Sequence, residues 1–503
     1  MTAPFLRALA RAASPVICLL ALAAAAPLAC AAGDASPVAP LQVAPNRHHL
    51  QQPDGTPFLW LGDTAWGMVQ YLKREEVDAY LDQRKQLGFT VIQTVAHWYP
   101  HGGGLKSGPA NLPNAYGFRP FAGSDDAPDT ARPLVVPGGT PDAPNDYWDH
   151  ADYIVRAVRQ RGMVLGLLPV WARAYLAASS EGSRRLYDAT TAASFGAFLG
   201  QRYREQPHIV WILGGDTRPF SQGYDKNQRP SRFDARPLVR AMAEGIGRGV
   251  TGRPLAWNRP DPAWDRLLMT YHPDGDAPYS SSVSLHDDAW LDANGVEVWR
   301  QLEQVHAAML ADYQRDTPAK PSLFLEGSYE YGSYRHECGW VTPVMVRRQL
   351  YHSFFGGGAG HTYGAGPVWA MRGQGGDYNC GYTWQQALHF PGAAQASGVA
   401  KGILQAHAWW RWVPHGALID GVGEGESLKT AVLDDTGARA LVYFSNRSAT
   451  LVRNVLSGAA AATWVDPRDG REVKAAPFAK DETRAQLPPA GWEDALLVLQ
   501  RQP

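Results

Sequence analysis

The stretch that decides the fold reads Ile209-Val210-Trp211-Ile212-Leu213-Gly214-Gly215-Asp216. Its five apolar residues predict a buried β-strand, and the two glycines allow a tight turn that ends on an acid. A second stretch, Ser322-Leu323-Phe324-Leu325-Glu326, has the same form. Because a buried, unpaired carboxylate is unfavourable, an acid directly after a core strand needs a functional or structural partner. These two stretches therefore predict a site at the ends of strands.

Short apolar runs alternate with amphipathic stretches over the first three quarters of the chain. Stretches with helical spacing, such as Lys73 to Leu87, Tyr147 to Arg161 and Glu297 to Asp312, separate the runs. A strand followed by a helix, repeated about eight times, predicts a (β/α)₈ TIM barrel of the α/β class. A doubly wound sheet is the alternative, but no GxGxxG or P-loop follows an early strand. The predicted strands are Phe58–Gly62, Val91–Val95, Met163–Leu168, Ile209–Leu213, Leu255–Trp257, Leu267–Tyr271, Ser322–Leu325 and Gly360–Tyr363.

The two ends of the chain differ from this pattern. Short alternating strands and turn pairs from about Gly416 predict a small all-β sandwich. A signal peptide is predicted at the start of the chain. It is indicated by a basic region, an apolar run from Val16 to Ala26 and small residues around Cys30. We therefore expect a leader at 1–33, a barrel at 40–415 and a sandwich at 416–503, in a periplasmic or secreted protein with no membrane span. A lipid anchor at Cys30 is the alternative to release.

Two cysteines, Cys338 and Cys380, remain beyond the leader. In an oxidising compartment they form a disulfide or stay as separate buried thiols, and the sequence leaves both open. The chain has no CxxC, no HExxH and no clustered histidines, so neither a metal nor another cofactor is expected. A formal net charge of −1 argues against nucleic acid as a partner. The 18 Trp residues suit a sugar-binding cleft, although aromatic residues fill cores first.

In a TIM barrel the reactive groups lie at the C-terminal ends of the strands. Asp216 and Glu326 follow the fourth and seventh predicted strands, and glycosidic cleavage needs such a pair of acids. Carboxyl groups about 5–5.5 Å apart would give retention of configuration, and about 6.5–9.5 Å would give inversion. The further residues predicted at the mouth are Asp63, Trp66, His97, Trp171, Arg218, Asn258, His272, Tyr329, His361 and Tyr363. For His361 a position in the core is an equal alternative.

Eight motifs, in order, resemble the apiosidase-like glycoside hydrolases, glycoside hydrolase family 140. They include Leu61-Gly62-Asp63-Thr64-Ala65-Trp66, Tyr271-His272-Pro273, Glu326-Gly327-Ser328-Tyr329-Glu330 and Ala359-Gly360-His361-Thr362-Tyr363-Gly364. The resemblance covers about residues 45 to 500. It implies a hydrolase of apiose-containing pectin side chains of the rhamnogalacturonan-II kind, with oligo- or polysaccharide as the partner. It also implies that Asp216 is the general acid/base and Glu326 the nucleophile, with Asp63, His272 and Tyr329 binding sugar hydroxyls or orienting Glu326.

Two departures put the substrate in doubt. The family stretch that usually ends Gln-Ser-Gly-His continues here as Glu297-Val298-Trp299-Arg300, and the usual Glu-Pro pair is Glu326-Gly327. The family pattern therefore leaves either apiose or another sugar open for the main subsite.

Three arginines, Arg173, Arg218 and Arg259, each follow a predicted strand end. They could bind a uronate carboxylate together, or they could be scattered over the surface.

Two other functions compete. One is a non-catalytic carbohydrate- or matrix-binding protein, and the other is a protease or esterase, for which no HExxH or GxSxG supports the assignment.

Overall fold

The computed structural model describes residues 40–98, 110–171, 186–224, 230–299, 302–332, 338–371 and 380–502. The predicted leader and its Cys30 lie outside these residues. From Ser36 onward the chain forms one compact unit. Within the described ranges, no helix has both the length and the apolar character needed to cross a membrane.

Eight parallel strands form the centre of the molecule, in the spatial order β5-β4-β3-β2-β1-β8-β7-β6. Strands β5 and β6 are the two ends of this order, and they lie side by side. There the backbone N–H of Asp292 donates to the carbonyl of Met269 (2.9 Å), so the two ends of the sheet meet. The predicted (β/α)₈ barrel is confirmed. The strands are β1 (Trp60–Thr64), β2 (Val91–His97), β3 (Val164–Val170), β4 (Ile209–Gly214), β5 (Met269–His272), β6 (Asn294–Val298), β7 (Ser322–Gly327) and β8 (Gly360–Tyr363).

Helices surround the strands; two of them begin with a capping aspartate, and a third ends on a glycine. Asp146 and Asp188 accept backbone N–H groups at the starts of α3 and α4, and Gly88 ends α2 in a left-handed conformation. The helices are α1 (Met68–Tyr71), α2 (Arg74–Leu87), α3 (Tyr147–Gln160), α4 (Ala189–Arg202), α5 (Arg236–Thr251), α6 (Ser282–Leu285), α7 (Leu302–Tyr313), α8 (Pro343–Phe355), α9 (Gly366–Ala370), α10 (Trp384–Ala387), α11 (Pro391–Ala394) and α12 (Ala400–Ala406).

Two of the predicted barrel elements are wrong. The stretch Leu255–Trp257 is not a strand but part of the connection between α5 and β5. The missing strand is β6, which starts at Asn294 and includes Glu297, predicted as the first residue of a helix. Asn, Gly and Glu have low strand propensity, so pairing with β7 rather than local preference makes this segment a strand.

Side chains of the barrel strands alternate between two cores. Trp60 packs inside the barrel with residues such as Val91 and Leu323, whereas Leu61 packs between the sheet and the helices. A strand position therefore faces either the barrel interior or the helices, and this phase decides which polar residues can reach the mouth.

The C-terminal part is antiparallel, as predicted, with a six-stranded sheet in the order β9-β11-β12-β17-β14-β15 and a three-stranded sheet in the order β10-β13-β16. It packs on α8 of the barrel, where buried Arg347 donates to Asp494 and Trp412 stacks edge-on against Phe355. The strands are β9 (Trp412–Pro414), β10 (Ile419–Asp420), β11 (Lys429–Asp434), β12 (Arg439–Phe444), β13 (Thr450–Arg453), β14 (Ala460–Val465), β15 (Glu472–Phe478), β16 (Thr483–Gln486) and β17 (Ala495–Arg501).

Cys338 and Cys380 form a disulfide. Of the two arrangements that the sequence leaves open, the structure has the covalent one.

Candidate active site

Four side chains meet inside the mouth of the barrel, at the C-terminal ends of neighbouring strands. They are Asp216 after β4, His272 at the end of β5, Glu297 on β6 and Glu326 on β7. Each has an oxygen or nitrogen within 4.8 Å of such an atom of the other three. Asp216 is partly exposed, and the other three are buried. The two acids that the sequence singles out therefore lie together at the reactive end of the barrel.

The turn after β4 gives Asp216 its position. Three consecutive residues have positive φ: Gly214 (94°), Gly215 (119°) and Asp216 (45°). A Cβ on Gly215 would lie 2.8 Å from the ring of Trp171, so only glycine fits there. Left-handed backbone at a non-glycine residue is strained and is concentrated at functional sites. The strain at Asp216 is the local signature expected of a working residue.

A β-bulge brings Glu326 into the barrel. Leu323 and Leu325 pack in the interior, so strict alternation would turn Glu326 towards the helices. The pairing of β7 with β6 shifts at this point: Val296 pairs with Phe324, and Glu297 pairs with Glu326. The extra residue in β7 re-aims the carboxylate into the mouth, as bulges near active sites do.

Three side chains fix the orientation of Glu326. Its Oε2 lies 3.1 Å from Nε2 of His272, and it accepts a hydrogen bond of 3.1 Å from Nε1 of Trp66. Tyr329 also hydrogen-bonds Glu326, and its hydroxyl accepts the Trp66 N–H at 2.9 Å. Burial lowers the pKa of His272, but the hydrogen bond to Glu326 and the charges of Glu326 and Asp216 outweigh burial and raise it. The imidazolium form is thus favoured beside the Glu326 carboxylate.

Glu297 is the residue that sequence reasoning missed. Its side chain is fully buried, and its Oε2 lies 3.1 Å from Nδ1 of His272. Burial raises its pKa well above the usual value, and the charges of Asp216 and Glu326 and a hydrogen bond to Asp216 raise it further. The departure from the family pattern at this position was the available signal, but assignment to a helix concealed it.

Aromatic rings form one wall of the mouth. Trp171 packs against Trp66 (5.1 Å between ring centroids) and Trp98 (5.7 Å), and Trp369 stacks with Tyr329 (6.3 Å, 11°). Trp369 is partly exposed. Of these tryptophans, Trp369 can offer a flat ring to the apolar face of a sugar, whereas Trp66, Trp98 and Trp171 are buried. Trp98 and Trp369 were not among the predicted residues.

Asp63 and Tyr363 do not reach the mouth, contrary to the prediction. Asp63 lies on the helix-facing side of β1, where its Oδ2 accepts hydrogen bonds from Nε of Arg84 (2.5 Å) and from the Tyr80 hydroxyl (2.6 Å). The Tyr363 hydroxyl donates to Glu330 (2.6 Å) on the same side. Both are one position out of phase with the interior-facing side chains, which is why they lie behind the barrel wall.

The two predicted histidines other than His272 also lie away from the cluster. The His97 ring nitrogens contact the Tyr187 hydroxyl (3.0 Å) and the carbonyl of Ala110 (3.1 Å), and burial lowers its pKa to about 4. His361 faces outward from β8 and stacks on Phe324 (5.1 Å, 8°), and burial lowers its pKa to about 3. For His361 the alternative of a core position is the correct one.

Of the two alternatives for the three arginines, the structure excludes a shared carboxylate site that includes Arg259. Asn258 and Arg259 are exposed in the connection that precedes β5, at the amino end of the barrel, because Leu255–Trp257 is not a strand. Arg173 lies outside the described residues. Arg218 is at the mouth, where its Nε is 3.7 Å from Asp274, and it borders an open cleft beside the cluster.

The four clustered groups have the chemistry of ligands for a divalent cation, since carboxylates and imidazole suit such ions. Contacts among Glu326, His272, Glu297 and Asp216 already account for their proximity. The absence of a metal or other cofactor stays a prediction.

The fold has close counterparts among solved structures. A glycoside hydrolase superposes with a TM-score of 0.73 at 23% identity, over 92% of this chain and 97% of that one. A glycoside hydrolase family 5 structure from Bacteroides vulgatus gives 0.73 at 24% identity, over 92% and 93% of the two chains. No curated protein matches the chain. The model of the apiosidase-like catalytic domain matches residues 44–411, and the protein belongs to this family.

Proposed function

We propose that the protein is an exported, retaining glycoside hydrolase that cleaves apiose-type or related linkages in pectin side chains of the rhamnogalacturonan-II kind. Membership of the apiosidase-like family and the glycoside hydrolase fold support a glycosidase. The numbered family, 140, stays a prediction. The observation that carries the proposal is the meeting of Asp216 and Glu326 at the barrel mouth.

In the proposed mechanism, Glu326 attacks the anomeric carbon and Asp216 protonates the departing oxygen. The carbon–oxygen bond breaks with its electron pair going to that oxygen, and a glycosyl ester of Glu326 forms. Asp216, now ionised, takes a proton from a water molecule whose oxygen attacks the anomeric carbon. The bond from that carbon to Glu326 breaks with its electron pair returning to the Glu326 carboxylate, and the sugar is released. The hydrogen bonds from His272 and Trp66 hold the Glu326 carboxylate ready for attack.

Retention is favoured by distance. An inverting enzyme leaves about 6.5–9.5 Å between its carboxyl groups for a water molecule, whereas a retaining enzyme has about 5–5.5 Å. Oxygens of Asp216 and Glu326 within 4.8 Å of each other fit the shorter class.

The test uses Asp216→Asn, Glu326→Gln and the control Asp276→Asn, which changes an exposed acid in the segment after β5. Fragmented pectin side chains are incubated with each protein, and the products are identified by mass spectrometry and NMR. We expect the first two variants to lose at least about 10³-fold in kcat and the control to match wild type, with the first-formed product keeping its anomeric configuration. Binding without turnover by wild type would refute the enzymatic proposal, and activity that survives both changes would refute these two acids.

Export is proposed from the leader at 1–33. Amino-terminal sequencing of protein recovered from outside the cytoplasm should give a first residue within 32–34, at the end of this leader. A mature chain that begins at a lipid-modified Cys30 would establish the anchor instead.

A further inference from the structure

Glu297 lies at the centre of the carboxylate cluster, although the proposed reaction does not use it. The side chain is fully buried on β6 and has Nδ1 of His272 on one side and Asp216 on the other. The opposite nitrogen of His272 contacts Glu326. Glu297 therefore links the proposed acid/base to the histidine that holds the proposed nucleophile.

Oxygens of Glu297 and Asp216 lie within 4.8 Å of each other, and a hydrogen bond between them requires a proton. An ionised carboxylate has only acceptor oxygens, so two carboxyl groups can hydrogen-bond only if one of them is protonated. Among the described residues, neither Glu297 oxygen accepts a hydrogen bond of good geometry from another donor. The acids that face Glu297 are Asp216, Glu326 and Asp274, and the group of opposite charge in contact with it is His272. Arg218, also at the mouth, is paired with Asp274.

We propose that Asp216 and Glu297 hold one proton between them, and that Glu297 is a positioning residue that keeps this proton available to the leaving oxygen. The inference rests on the proposed function, since it deepens the role of Asp216. Two adjacent carboxylates do not both ionise readily, as in other acid pairs that share a proton.

The shared proton affects both halves of the reaction. In the first half it passes from Asp216 to the departing oxygen, and the negative charge of Glu326 disappears as its ester forms. In the second half Asp216 recovers a proton from water. This proton uptake is favoured by the neighbouring Glu297 carboxyl group, because the pair then holds one proton again. Because the pair titrates as a unit, its apparent pKa values belong to both residues.

The test compares wild type with Glu297→Gln and with the control Glu303→Gln, which changes a partly exposed acid on α7. Glutamine keeps the shape but removes the negative charge and donates to ionised Asp216, so it should make Asp216 a stronger acid. We expect the alkaline limb of the kcat/KM profile to move down by at least about one pH unit in Glu297→Gln and to stay in place in the control. At acidic pH the glutamine variant should approach the wild-type rate.

Infrared spectroscopy provides a readout that does not need activity. At pH 7 wild type should show a protonated-carboxyl band that is missing from Glu297→Gln. If the glutamine variant folds poorly, Asp216→Asn tests the same pair by changing its other member. Without the negative charge of Asp216 beside it, Glu297 should lose its protonated-carboxyl band at a lower pH than in wild type. An unchanged alkaline limb together with an unchanged carboxyl band would overturn the inference. Absence of hydrolysis by wild type would refute the proposed function. The infrared result would still show whether Asp216 and Glu297 share a proton.

Discussion

Replacing Asp63 with asparagine separates the structural role seen here from the sugar-binding role that the family resemblance implies. Asp63 and Arg84 are both fully buried, and the Nε–Oδ2 distance is 2.5 Å. Burial raises the pKa of Asp63, although the charge of Arg84 lowers it in part. The ionised pair is therefore stabilised by its mutual attraction in a place where burial alone disfavours each charge. Asparagine would leave the guanidinium buried without a counter-ion, next to neutral acceptors such as the carbonyl of Leu388.

The expected loss is large because only one partner is removed. Breaking a buried ion pair in this way costs about 3–5 kcal/mol. Unfolding entropy of about 2 cal/mol/K per residue gives about 1 kcal/mol/K for a chain of this length, so Tm should fall by about 3–5 °C if unfolding is cooperative. The side chain faces away from the mouth, so kcat and KM of the folded protein should change less than about twofold.

The assay combines thermal and urea unfolding with initial rates on the pectin fragments that wild type cleaves. Asp78→Asn is the matched control, since it breaks the partly exposed pair with Arg161 and should cost less than about 1 kcal/mol. The double variant Asp63→Asn/Arg84→Met should recover part of the lost stability, because neither charge of the pair remains. A Tm within 1 °C of wild type together with a tenfold rise in KM would refute the reasoning and return Asp63 to the substrate site.

Two other changes address the turn that carries Asp216 and the disulfide. Gly215→Ala should lower kcat by at least about 10²-fold and the free energy of unfolding by about 1–3 kcal/mol. Gly437→Ala is the control: this glycine also has a positive φ (64°), but a Cβ there would meet open space, so kcat should be unchanged. Normal turnover by the Gly215 variant would show that the close approach to Trp171 does not position the acid. Replacing Cys338 and Cys380 together by serine should reduce the free energy of unfolding in urea by about 3–4 kcal/mol, as should reduction of wild type. Equal stability of both forms would contradict the entropic contribution of this cross-link.

The barrel could be predicted because its signal is local and repeated. Each apolar run followed by an amphipathic stretch specifies one strand and one helix, and an error in one unit does not change the others. The failures concern weak segments. Leu255–Trp257 has the composition of a strand but pairs with no strand in the described part of the chain. Asn294–Val298 has poor strand composition and becomes β6 through pairing with β7.

The candidate site could be predicted only in part. Asp216 follows from a strand that ends in two glycines, and Glu326 from an acid directly after four apolar residues. His272 and Trp66 were also expected near the mouth, and they contact Glu326. The proposed role of Glu297 could not be predicted, because it depends on which groups three other strands place around it.

By itself, the sequence determined seven of the eight barrel strands, the change to an antiparallel C-terminal module and the positions of two acids at strand ends. The tertiary structure decided which face each of these side chains occupies. One residue of register moves a side chain from the barrel interior to the helices, so Asp63 lies behind the wall and the bulge in β7 brings Glu326 inside. Register is set by pairing between strands that are distant in sequence, and for that reason a local pattern could not supply it.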